Sequence, residues 1–283
     1  MEYVLLCTVI LLVAFQNIAK KYYLVKSTKQ YNYTLSFVIT VVAMIFFVVK
    51  AGFRLNFTWD FVPYSLGFAL SYGASTAGAL FAVKYGSFSV SSLITSYSLI
   101  IPTFYGVFVY KDPVEFIGYV GFFLLCVSLF MIREKDKIQS KVSFKWIISI
   151  LISFAGNGFC SLVQKIQQFN FEGEYKSEFM IVALFICAIG HFVMMIVSKE
   201  ASLSDLKYSL PIGAMTGLAN GVVNYLVMVL TATVPNAILF PSISAGGIVL
   251  TFVAGITIYK ERFSKAQYMG YILGVTSLIL LNL

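Results

Sequence analysis

Ten stretches of this sequence are continuously apolar, at residues 3–19, 34–49, 62–83, 88–110, 115–132, 144–164, 177–197, 209–230, 236–259 and 266–283. A helix crossing the roughly 30 Å hydrocarbon core of a bilayer needs about 20 such residues. Most of the stretches meet that length, and the second and fifth fall slightly short. In a membrane-spanning barrel the strands would be about ten residues long and alternate in polarity. The runs here do not alternate, so the sequence predicts an all-α integral membrane protein of ten transmembrane helices. With 59% hydrophobic and 11% charged residues among 283, a water-soluble fold has too little polar surface to cover its core.

The formal net charge of +8 raises the question of nucleic acid. The basic residues sit in the short gaps between apolar runs, where topology signals belong, and form no basic stripe interleaved with stacking aromatics. No nucleic-acid partner is expected; the expected surroundings are a lipid bilayer, namely the plasma membrane, and the chain is expected as a monomer or homodimer. The first run lacks a basic leader and a small-residue cleavage site, so it reads as a retained first span. Cys7, Cys126, Cys160 and Cys187 all fall within apolar runs without a CxxC pair, and read as small apolar residues.

The longest polar gap, near the midpoint, separates five spans from five. This predicts a first repeat at 1–133, a linker at 134–143 and a second repeat at 144–283. Matches recur in the same order at near-constant spacing: Gln16 with Gln164, Gly73 with Gly221, Ser96 with Ser244, Tyr110-Lys111-Asp112 with Tyr259-Lys260-Glu261, and Gly118-Tyr119 with Gly270-Tyr271. Five is an odd number, so the second repeat would enter the membrane from the opposite side. Inverted repeats of this kind are a common plan of secondary transporters, with the substrate held near the midplane at the repeat interface. Most of the 20 Lys and Arg residues fall in the loops after spans 1, 3, 5, 7 and 9. The positive-inside rule then places those loops in the cytoplasm and both chain ends outside.

Function has to come from what is polar inside the spans. No Asp or Glu falls in the middle of any of them, which argues against exchange of organic cations for protons. Amides and hydroxyls are costly in hydrocarbon without partners and should face the bundle interior or a wet cavity. The candidate lining is Gln16 and Asn17 on span 1, Tyr72, Ser75 and Thr76 on span 3, and Thr95 and Tyr97 on span 4. Spans 6, 8 and 9 add Asn157, Ser161 and Gln164, then Asn220, Asn224 and Tyr225, then Ser244. Tyr72 and Thr76 correspond to Asn220 and Asn224, each pair spaced to share one helix face. Amides offer donors and an acceptor together, which suits a small polar or zwitterionic metabolite. The competing reading is hydrogen bonding between helices.

The single histidine, His191, lies within span 7. It is a candidate for proton coupling, or else a neutral ring bonded to a neighbouring helix. Gly213, Gly217 and Gly221 place a doubled GxxxG on span 8, a pattern for close helix packing. Pro102 and Pro241, with Gly246 and Gly247, mark spans 4 and 9 as helices able to bend. Paired catalytic carboxylates, metal-ligand clusters and activated nucleophiles are missing from the sequence, so neither an enzyme, a metal nor a cofactor is expected.

The segment AVKYGSFSVSSLITSYSLIIPTFYGVFVYKDPVEFIGYVGFFLLCVSL and, in the second half, IYKERFSKAQYMGYILGVTSLIL resemble the drug/metabolite transporter superfamily, specifically its ten-helix EamA-type permeases. The shared motif is an acidic residue ending the fourth helix of each repeat, followed by a polar stretch and a Gly opening the fifth; here these are Asp112 with Gly118 and Glu261 with Gly270. Asp112-Pro113 stands where the family usually has Glu. The resemblance implies a central cavity lined by helices 1, 3, 4, 6, 8 and 9, and movement of amino acids, nucleotide-sugar-like metabolites or other small solutes. A flippase for a lipid or lipid-linked head group is the alternative.

Overall fold

A computed structural model of the chain describes residues 2–26, 32–85, 91, 94–95, 97–111, 115–132, 143–200, 203–258 and 264–281. Ser96, Asp112, Glu261 and residues 134–142 of the expected linker lie outside these. Among the described residues all regular structure is helical: α1 (Glu2–Lys26), α2 (Asn32–Lys50), α3 (Val62–Tyr85), α4 (Ile100–Tyr105), α5 (Phe116–Ile132), α6 (Phe144–Asn170), α7 (Lys176–Val197), α8 (Leu203–Leu230), α9 (Asn236–Thr257) and α10 (Lys265–Leu281). Six of them, α1, α2, α6, α7, α8 and α9, are long and apolar enough to cross a membrane. Their outer faces are bare hydrocarbon: on α7, Phe185, Ile189, Val193 and Val197 are all at least half exposed. Such surfaces are stable only against lipid, and the chain is a helical membrane protein.

Helix ends lie close to the limits of the apolar runs, and the differences have local causes. α8 starts at Leu203, well before the apolar run at 209, and so encloses Pro211, a proline that the sequence reading does not count as interior. α4 is short because its segment changes geometry twice. Tyr97–Leu99 is a 3₁₀ turn, Ile100–Tyr105 is α-helical around the buried Pro102, and Gly106–Tyr110 is a π turn. By contrast α9 runs unbroken through Pro241, Gly246 and Gly247.

The chain forms two compact units, Met1–Gly73 with Val163–Ala232 and Ala74–Leu162 with Thr233–Leu283. Each unit draws on both sequence halves, and α3 and α6 contribute to both.

In the first unit α2 packs against α7 and α8, and α8 also packs against α1. The α2–α8 contact explains the glycine stripe. A Cβ on Gly213 would stand 2.6 Å from Val38 Cγ1, one on Gly217 2.7 Å from the Ile39 carbonyl oxygen, and one on Gly221 2.8 Å from Phe46 Cδ1. Only hydrogen fits there. The start of α2 is held by Glu200, just beyond α7. Its carboxylate accepts from the amides of Tyr33 (2.8 Å) and Thr34 (3.1 Å), and its carbonyl accepts from Thr34 Oγ1 at 2.8 Å. An anion at these unpaired amides also meets the positive end of the helix dipole.

In the second unit α5 packs along α10, and α9 packs on α4 and α10. Ser128 Oγ of α5 donates to the Gly270 carbonyl at 2.6 Å. Leu125 and Ala245 are buried together there beneath Tyr97, Phe122 and Ile248.

Candidate functional site

In the first unit, four of the expected lining residues meet. Gln16 from α1, Gln164 from α6, and Asn220 and Asn224 from α8 form a chain of side-chain amides. Gln164 Nε2 donates to Asn224 Oδ1 at 2.8 Å, Asn224 Nδ2 donates to Asn220 Oδ1 at 3.1 Å, and Asn220 Nδ2 donates to Gln16 Oε1 at 3.3 Å. Asn224 Nδ2 also donates to the Asn220 backbone carbonyl at 2.8 Å. Gln16 and Gln164 are 7% and 3% exposed, so a cluster of strong dipoles sits inside membrane-length helices. Asn220 and Asn224 are one turn apart on α8, as the sequence spacing requires.

Other candidates in this unit stand elsewhere. Tyr72 stacks on Phe68, with ring centroids 5.9 Å apart, and its ring meets His191 at the same centroid distance with the planes inclined at 65°. Tyr225 packs against Phe46, and Lys50 Nζ lies 4.8 Å above its ring. Asn17 is exposed.

His191 has a definite tautomer. Thr40 Oγ1 donates its one proton to the Ser36 carbonyl at 2.8 Å and lies 3.0 Å from His191 Nδ1. The ring must therefore carry its proton on Nδ1 and donate to Thr40. Nε2 is left as an acceptor, buried and, among the described residues, without a hydrogen bond. Thr40 is fully buried, and sequence reasoning passed over it because a lone Thr in an apolar run signals nothing without its neighbour.

In the second unit the candidates divide between helix contacts and a cavity. Asn157 Nδ2 donates to Ser98 Oγ at 2.6 Å, and Thr95 Oγ1 and Ser153 Oγ share a hydrogen bond of 3.0 Å. Here the helix-bonding reading accounts for Asn157 and Thr95. Ser75, Thr76 and Ser161 are half-buried. Tyr97 and Ser244, with Pro241, line a cavity of about 240 Å³ together with Thr103, Phe122 and Cys126. The wall is predominantly apolar, and the Tyr97 hydroxyl is buried there with no hydrogen-bond partner among the described residues. Its character differs from the amide-lined pocket that the sequence leads one to expect. Pro102 and the glycines Gly246 and Gly247 are buried. Among the described residues no three His, Cys, Asp or Glu side chains gather as metal ligands.

No family model matches the chain. A Haemophilus influenzae protein described only as uncharacterized is 22% identical to it, over 99% of this chain and 96% of that one. A protein crystal structure superposes with a TM-score of 0.77 at 11% identity, covering 99% of this chain and 95% of the other. That likeness is one of fold.

Proposed function

We propose that the protein is a secondary transporter of the plasma membrane that moves a small polar or zwitterionic metabolite by alternating access, with ten spans in two inverted five-helix repeats. In this reading it is an EamA-type member of the drug/metabolite transporter superfamily. The observation that carries it is the buried amide chain from Gln16 to Gln164. Four primary amides converging from three helices are far more than helix association needs, since a hydrogen bond between membrane helices contributes about 0.6 kcal/mol on average. They match a solute that carries both donors and acceptors. His191 supplies the coupling step: its Nε2 lone pair, without a hydrogen bond among the described residues, is where a proton would be taken up.

The test is counterflow into liposomes holding the purified chain, with a panel of radiolabelled amino acids, sugars, nucleosides and organic acids. Saturable uptake of at least one solute is expected, and it should fall about tenfold or more in Asn224→Leu, which breaks the amide chain and leaves Gln164 and Asn220 without their partner. His191→Asn should flatten the dependence of uptake on pH. No uptake across the panel, with folded protein in the vesicles, overturns the proposal.

A further inference from the structure

The amide chain has a direction, and that direction follows from one atom. A backbone carbonyl can only accept, so the Asn224 side-chain atom 2.8 Å from the Asn220 carbonyl is its nitrogen. The oxygen of Asn224 then faces Gln164, which must present Nε2. The nitrogen of Asn224 also bonds the Asn220 side chain, which must present its oxygen there and its own nitrogen to Gln16. Gln16 can answer only with Oε1. Every amide therefore donates the same way, from Gln164 through Asn224 and Asn220 to Gln16. Bonds aligned in series polarise one another. One end is left as a donor, Gln16 Nε2, and the other as an acceptor, Gln164 Oε1; among the described residues neither has a hydrogen-bond partner.

We infer that the two ends of this chain read the two poles of a zwitterion: Gln16 Nε2 takes the anionic group, and Gln164 Oε1 takes the ammonium. The inference rests on the carrier reading above and adds orientation to it. Asn220 and Asn224 hold the direction without contributing a free end, so they act as positioning residues.

The experiment uses the full-length purified chain in detergent, with ligand-induced thermal stabilisation as the readout. The probes are the common L-amino acids and short ω-amino acids. For the strongest of these, its amide removes the anion and its deaminated acid removes the ammonium. The wild type should bind the zwitterion roughly ten- to a hundredfold tighter than either analogue, the range for a hydrogen bond to a charged group. Gln16→Met should erase the preference over the amide and keep the preference over the deaminated acid. Gln164→Met should do the reverse. Gln16→Glu keeps the acceptor that Asn220 needs and replaces the outer donor by an anion, so it should bind the amide better than the zwitterion.

Equal losses for all three probes in both Met variants, or the opposite pattern, overturn the orientation. Should the Met variants not fold, Gln16→Glu alone decides it: a retained preference for the zwitterion overturns the inference. Wild-type flux of an uncharged solute with no discrimination among the three probes removes this inference and leaves the carrier standing. Absence of flux for every solute removes both.

Discussion

At the residue scale, the polar side chains inside the helices fall into two kinds. Some are answered by a neighbouring helix, as Asn157 is by Ser98. Others keep unused capacity among the described residues, as His191 does at Nε2. The sequence identified both kinds as polar and could not sort them, because the sorting depends on which helix lies opposite. Gln16, Gln164, Asn220 and Asn224 were identifiable in advance as amides misplaced in hydrocarbon. Their mutual bonding was not, since it joins residues as far apart as 16 and 220. The Thr40–His191 bond gives a direct check. Thr40→Val strands the Nδ1 proton in the interior and should cost about 1–3 kcal/mol, seen as a lower thermal unfolding midpoint in detergent. Thr40→Ser should restore most of it. Glu200 offers a second check: Glu200→Ala leaves the first amides of α2 unanswered, and a loss of about 1–2 kcal/mol is expected in the same assay.

At the element scale, apolar runs located the helices well, because hydrocarbon burial and unbroken backbone hydrogen bonding demand the same uninterrupted stretch. They fail where hydropathy and hydrogen bonding part company. α8 starts in a polar turn around Ser204 and Asp205, ahead of its apolar run. The segment Tyr97–Tyr110 changes from 3₁₀ to α to π winding, which hydropathy does not register. The glycines show the limit of repeat matching. Gly73 and Gly221 correspond in sequence, yet a Cβ on Gly73 would meet nothing within 4 Å, whereas one on Gly221 would press on the Phe46 ring. Gly217→Ala, facing a backbone carbonyl that cannot step aside, should destabilise by about 1–3 kcal/mol. Gly73→Ala should be neutral or stabilising by about 0.4–1 kcal/mol. Equal effects from the two substitutions would contradict the packing described.

At the scale of the whole molecule, charge bias is the one sequence signal that addresses orientation. It places the loop between α6 and α7 outside and the loop between α7 and α8 in the cytoplasm. Glu174 and Ser198, both exposed, lie in these loops. In a variant lacking the four native cysteines, Glu174→Cys should react with a membrane-impermeant maleimide in intact cells. Ser198→Cys should react only after permeabilisation. The reverse pattern would invert the topology.

The glycine stripe on α8 has a mechanical outcome. At Gly217 the stripe meets the α2 backbone directly, while at Gly213 and Gly221 it meets the side chains of Val38 and Phe46, so α2 and α8 are seated closely with little room to slide. Asn220 and Asn224, one turn apart on the same helix, are thereby held at a fixed spacing beside α2.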